Sequence, residues 1–239
     1  MIRVLHVASF SGNIGDCANH LGLRSQLEKI GDFEYTDLEI RHSYQNYIGP
    51  CRWEWDQSFV DRCNQYDMVI IGGGNYFEPR WETPNGTTAG INSDDLAKIK
   101  VPVVFFGVGF DCYKGVNPSS IRRFSRFIGR ASRMKHVLMS CRNDGSLKQL
   151  KEQLPIADLP IQVVPDGGFF CSTEMQSGTF HQLMEGKKYW AVNVSCDLIN
   201  LGLSGIAENL AKRLTQSDHY VLFIPHITSD LRAISQILD

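Results

Sequence analysis

The sequence predicts an α/β fold, a doubly wound parallel sheet followed by the first part of a second such unit. Three observations carry this reading. Short apolar runs recur along the 239 residues, at 4–8, 68–71, 101–108, 137–139, 161–164, 191–194 and 220–224. Most are continuously apolar, the pattern of strands buried on both faces. Helical spacing appears between them, in Leu23, Leu27 and Ile30 and again in Ile121, Phe124 and Ile128. Strand–helix alternation of this kind builds parallel sheets with right-handed crossovers. Several runs also end in glycine and polar residues, which marks the edge where open α/β sheets bind ligands.

The first run leads into Gly12-Asn13-Ile14-Gly15-Asp16 and a helix opening at about Cys17. Two glycines let the chain turn tightly, and a helix start offers free N–H groups to an anionic or polar ligand. Asp16 reads equally as the cap of that helix. The run 68–71 ends in Gly72-Gly73-Gly74-Asn75. Consecutive glycines pack nothing in a strand, so they mark close approach of backbone to a ligand or to another segment. A long loop, 76–92, follows and carries Arg80, Trp81, Glu82 and Asn85. Loops of that length are commonly functional or mobile. Trp81 could stack on a sugar face or fill an apolar gap.

The next run ends in Gly107-Val108-Gly109, and the one after it in Arg142. A planar guanidinium there suits a carboxylate or phosphate; the plainer alternative is an ion pair with Asp144 or Glu152. The run 161–164 ends in Pro165-Asp166-Gly167-Gly168. The polar stretch 171–188 breaks the series, which places a domain boundary at 178/179: residues 1–178 form one domain and 179–239 the first part of another. That second part holds helical patterns near 203–214 and 229–238, and its last strand leads to His226, facing an expected interdomain cleft. A lone histidine is more often structural than catalytic.

Composition narrows the functional class. The net charge is −2 (24 basic against 26 acidic residues), unlike a bulk nucleic-acid binder. No apolar run approaches the ~20 residues of a spanning helix, and no secretory signal is visible. Seven scattered cysteines without a C-x-x-C pair argue for reduced thiols in the cytoplasm, with no structural zinc. No metal or cofactor constellation stands out. One basic stretch does: Arg122, Arg126, Arg130 and Arg133 lie at i, i+4, i+8 and i+11 on a helical pattern, with Lys114 upstream. The choices are a solvated face or contact with an anionic membrane surface or lipid diphosphate.

Taken in order, these segments resemble the polysaccharide pyruvyl transferase family. The matching pieces are Gly12-Asn13-Ile14-Gly15-Asp16, Asp67-x-x-Ile70-x-Gly72-Gly73-Gly74, Pro102-x-x-x-x-Gly107-x-Gly109, Ser140-x-Arg142-x-x-x-Ser146, Pro165-Asp166 and Pro225-His226. The resemblance implies two Rossmann-like domains in a glycosyltransferase-B-like arrangement. It implies transfer of an enolpyruvyl unit from phosphoenolpyruvate, a co-substrate and not a cofactor, onto a cell-surface polysaccharide or its precursor, giving a pyruvate ketal. Asn13, Gly15, Asp16 and Arg142 would then face the donor. Gly73, Gly74, Asn75, Arg80, Trp81 and Asp166 would face a sugar or lipid-linked glycan acceptor, at the inner face of the membrane. Oligomeric state stays open, a homo-oligomer included.

Departures from the family pattern are Cys17 after the Gly-Asp pair, Asn143 after the arginine, and Gly167-Gly168 in place of Pro-Ala. The family's Arg-x-His segment is absent, so His226 is the candidate acid within the chain and the main acid is expected beyond Asp239. Two alternatives keep the same architecture: a nucleotide-sugar glycosyltransferase, or a noncatalytic module binding a glycan or a partner.

Overall fold

A computed structural model of the chain describes residues 1–112, 115–154, 156, 159–172, 184–196, 202 and 204–238. They divide into two compact units, one of Met1–Ser11 and Asp16–Cys171, the other of Gly12–Gly15 and Ser172–Asp239. The expected boundary at 178/179 and the expected Lys114 contact lie outside the described residues.

Among its described residues the first unit holds six strands: β1 (Ile2–Ala8), β2 (Phe33–Glu39), β3 (Met68–Gly72), β4 (Val103–Val108), β5 (Val137–Arg142) and β6 (Gln162–Val164). All pair in parallel in the order β2-β1-β3-β4-β5-β6. Five helices alternate with them: α1 (Ile14–Leu27), α2 (Gln57–Cys63), α3 (Ser93–Leu96), α4 (Pro118–Ala131) and α5 (Ser146–Gln153). Successive strand residues face opposite sides, which places helices on both faces. Leu5, Val7, Val69, Ile71, Val103 and Phe105 join Phe59, Leu96, Phe124 and Ile128 in one core. Val4 and Ile70 pack on the other face with Leu23 of α1. The parallel α/β fold is as the apolar runs predict.

Four local expectations change. β2 (Phe-Glu-Tyr-Thr-Asp-Leu-Glu) contains no continuous apolar run, because it is the sheet's edge and only Leu38 is fully buried; charged edge residues also discourage pairing with another chain. α1 begins at Ile14, so Asp16 sits inside its first turn and is not its cap, where its charge still suits the helix dipole. Ile30, at helical spacing, lies past the end of α1 and is exposed. α4 ends at Ala131, which leaves Arg133 beyond the helix and off the expected stripe.

The loop 76–92 is an internal packing element. Phe77, Ala89 and Ile91 are fully buried. Asn85 closes the backbone beneath them: its Oδ1 accepts from Thr87 N at 2.9 Å and its Nδ2 donates to Ala89 O. Such an amide replaces the hydrogen bonds a buried loop would otherwise lack.

α1 meets the 3-10 turn Gly167–Phe170 backbone to backbone. A Cβ at Gly22 would collide with Gly167 O and stand 2.9 Å from Cys171 N. Alanine is worth about 1 kcal/mol over glycine inside a helix, but overpacking against backbone costs ~1–3 kcal/mol. Gly22→Ala is therefore expected to destabilise the fold by roughly 1–2 kcal/mol. Gly129→Ala in α4, where a Cβ meets nothing within 4 Å, is expected to gain about 0.5–1 kcal/mol. Urea midpoints of the two variants check the contrast, and movement in the same direction would refute it.

Among its described residues the second unit has two parallel strands, β7 (Tyr189–Val192) and β8 (Tyr220–Phe223), and helices α6 (Ser204–Thr215) and α7 (Thr228–Leu238). Val194, Ala233 and Ile234 form its core. Buried Asp230 of α7 accepts from the backbone N–H groups of Cys196, His226 and Ile227 at 2.8, 2.9 and 3.0 Å. Burial opposes its charge, yet the backbone donors hold its carboxyl below the usual range. Among the described residues, no helix is long and apolar enough to cross a membrane.

Candidate functional site at the carboxyl edge of the sheet

The strand order reverses between β1 and β3, which makes the carboxyl ends of those strands the switch point of the sheet. Two arginine clusters occupy this edge.

Arg142 ends β5 and is 19% exposed. Its Nη2 donates to Asn75 Oδ1 and lies 3.0 Å from Asp144 Oδ2, while Nη1 lies 3.5 Å from Asp166 Oδ2. The expected partner Asp144 is thus present; Glu152 instead lies 3.9 Å from Lys148 Nζ. Arg142 Nε is buried without a hydrogen-bond acceptor among the described residues. Asp166 is held by its own turn, its Oδ1 accepting from Gly168 N at 2.8 Å. Gly109 makes room for the cluster: a Cβ there would collide with Asn75 Oδ1 and stand 2.5 Å from Arg142 Nη2. Asn75, Arg142 and Asp166, expected on the donor and acceptor sides separately, therefore meet in one group.

Arg41 forms the second cluster, just past β2. It donates to Ser9 Oγ and Ser11 O, and lies 3.8 Å from Glu39 Oε1 and 4.0 Å from Asp16 Oδ2. Glu39 in turn accepts from Phe10 N at 2.9 Å, which fixes the loop after β1. Burial raises the Asp16 carboxyl pKa, opposed by the Ser9 hydroxyl and by the charges of Arg41 and Arg142. Arg41 and Glu39 were not anticipated, because the strand that delivers them shows no apolar run.

Polar groups lie below the edge. Asn19 is 1% exposed, and neither side-chain amide atom has a partner among the described residues. His20 Nε2 bonds Ser9 O at 2.9 Å, and its Nδ1 is unpartnered. Both crowd Gly73, whose φ of +85° requires glycine and whose Cβ would stand 2.6 Å from His20 Cε1. His6, fully buried on β1, meets His20 edge-on at 5.0 Å.

Arg80 and Trp81 form a separate group. Arg80 pairs with Glu78 at 3.0 Å and lies over the Trp81 ring at 5.1 Å, and that ring is 5.9 Å from Tyr44. Gly74 lies against the Tyr76 ring. In the second unit, Asn13 Oδ1 accepts from Gly15 N at 2.9 Å, and Asn13 bridges Ile227. His226 is exposed there, its backbone engaged by Asp230 and by Ile14 N. No cluster of three or more metal-binding side chains occurs among the described residues.

The family model for polysaccharide pyruvyl transferase matches residues 13–237, nearly the whole chain. The chain belongs to this family. Arg142 ends β5, and Asp166 follows β6. Among curated proteins, no sequence matches the chain. Among solved structures it is similar to an S. aureus MnaA–UDP co-structure, at a TM-score of 0.54 and 13% identity, over 100% of this chain and 66% of that one. The chain thus spans just under two thirds of that structure's length. An α-glucosyltransferase (AGT) in complex with UDP gives a TM-score of 0.42 and 13% identity, over 99% and 71% of the two chains. The first of these likenesses supports a glycosyltransferase-B-like fold; at such identities it carries nothing about substrate.

Proposed function

We propose that the chain moves the enolpyruvyl unit of phosphoenolpyruvate onto two hydroxyls of a sugar in a cell-surface polysaccharide or its precursor. The observation that carries this reading, beside family membership, is Arg142: a planar cation at a strand's carboxyl end with one buried N–H lacking an acceptor among the described residues. Asp144 and Asp166 hold its fork in place. A donor carrying both a carboxylate and a phosphate suits such a fork, and charge-assisted hydrogen bonds to it are the strong ones. Arg41 supplies a second cation on the same edge.

In the reaction proposed, the donor's methylene carbon gains a proton and C2 becomes electrophilic. One sugar hydroxyl bonds to C2, the C2–O bond to phosphate breaks, and the second hydroxyl closes the ketal. Of the two hydroxyl protons, one balances the new methyl group and the other leaves with phosphate. Arg142 would orient the donor and hold negative charge on the departing group.

The test is phosphate release by the native protein from phosphoenolpyruvate, with and without a panel of sugar and lipid-linked glycan acceptors. Release that requires an acceptor, together with a pyruvylated product in the mass spectrum, is expected. Transfer from a nucleotide sugar with phosphoenolpyruvate inert would overturn the reading.

A further inference from the structure

We propose that a pocket on the flank of α4 is a second anion site, which takes the phosphate or diphosphate group of a ligand. Arg123, Arg126 and Arg130 lie at i, i+3 and i+7 along α4 and line a cavity of about 340 Å3, with Phe127, Asn92 and Ser93 also in its wall. Phe127 is 3% exposed, so the base is apolar and fixed. No acidic side chain lines the cavity. The volume sits at the small end of ligand pockets, the size of a phosphorylated head group and not of a polymer.

The three guanidinium groups differ in how they are held. Arg123 is anchored, its Nη2 donating to Trp81 O at 3.0 Å and to Ser120 Oγ at 3.1 Å. Its Nε is buried with no acceptor among the described residues. Arg126 makes one long bond, Nε to Arg122 O at 3.4 Å, which leaves its terminal nitrogens without a partner among the described residues. Arg130 pairs with Asp94 at 2.6 Å, but both groups are more than half exposed, so the pair is weak and open to exchange. Asp95, the next acid, is engaged by Lys98 at 2.7 Å. Three cations against one exposed carboxylate leave an excess positive charge in a concave wall, and guanidinium forks match phosphate oxygens in pairs.

This pocket is apart from the Arg142 and Arg41 clusters, and Arg123 ties it to the Arg80–Trp81 group through Trp81 O. α4 runs back antiparallel to the strands in its crossover, so Arg126 and Arg130 descend away from the carboxyl edge. It shares no residue with the Arg142 or Arg41 clusters. Arg122 and Arg133, the other members of the basic stretch, do not line it.

The same chemistry arises from a soluble diphosphate or from a phospholipid head group, and two probes separate them. Binding of inorganic pyrophosphate is measured by calorimetry. Binding to phosphatidylcholine vesicles with and without phosphatidic acid is measured by sedimentation. Each is run on the native protein, on Arg126→Gln/Arg130→Gln, and on Arg142→Ala. Binding of at least one probe is expected, weakened about tenfold or more in the α4 double variant and retained in Arg142→Ala. Pyrophosphate alone would assign a soluble ligand; acidic vesicles alone, a lipid head group. Both exchanged arginines are surface groups of α4, so an unchanged melting temperature separates lost binding from lost fold. Failure of the native protein to bind either probe would overturn the proposal, as would binding indifferent to the double variant.

Discussion

Arg142→Ala is expected to lower kcat/KM for phosphoenolpyruvate by roughly 100- to 1,000-fold, the usual cost of losing one preorganised charge-stabilising donor. The cluster's own charge works in the same direction. Asp144 and Asp166 both lie beside the guanidinium, and without it two carboxylates remain to repel an anionic donor. Arg142→Lys is expected to recover little, since an ammonium lacks the planar fork that reaches Asn75 and both acids together. Gly109→Ala tests geometry with the charge intact. Its methyl would push on Asn75 Oδ1 and Arg142 Nη2, the movable ends of side chains, so the fold should survive while the fork shifts. A loss of roughly ten- to a hundredfold is expected, as for misplacements of about 1 Å. Steady-state phosphate release reads all three variants, and full activity in Arg142→Ala would remove this residue from the reaction.

How much of this was legible in the sequence follows from what each residue has to do. β1, β3 and β4 have side chains packed on both faces, and they and β5, whose Leu138 is exposed, show as apolar runs. β2 is an edge strand, satisfied with Leu38 buried and charge outside, so it left no run, and Arg41 could not be placed at a strand end. Arg142, Asn75 and Asp166 were readable because each ends a recognisable strand or glycine segment. Their mutual contact was not, because it depends on register across three strands and on the missing side chain at Gly109. The loop 76–92 misled for a related reason. Its buried Phe77, Ala89 and Ile91 alternate with polar residues whose hydrogen bonds close through Asn85, and local polarity resembles exposure until those partners are known. Asn19 and His20 gave no signal at all. They are polar residues on the buried side of α1, and what buries them is the close approach of the Gly73 and Gly167 backbones.

That burial predicts a loss of stability on mild acidification. His20 is 3% exposed, and burial pulls its pKa down from 6.5 to about 4, offset in part by its bond to Ser9 O. His6 falls well below 6.5 for the same first reason, with the neighbouring charges of His20 and Arg24 adding to it. The neutral tautomers fit this arrangement. His6 Nδ1 accepts from Arg24 Nη2 at 3.0 Å and His20 Nε2 donates to Ser9; a proton on either ring would add a buried N–H beside a cation or beside the other ring. The unfolded chain binds these protons below about pH 6.5 and the folded chain resists them, so the histidines' contribution is complete above 6.5 and is lost as pH falls toward 4. For His20 alone the span is worth about 3 kcal/mol, at 1.36 kcal/mol per unit. Asp16, with its raised pKa, opposes the trend within the same window, while Asp56, Asp67 and Asp230, with lowered values, act below it. Urea unfolding at pH 7, 6, 5 and 4.5 is expected to show stability falling steadily. His20→Gln keeps a donor for Ser9 O and removes the titration, so its curve should fall less steeply. A native profile flat to pH 4.5, or an unchanged slope in that variant, would show that this pair does not set the acid limit of the fold.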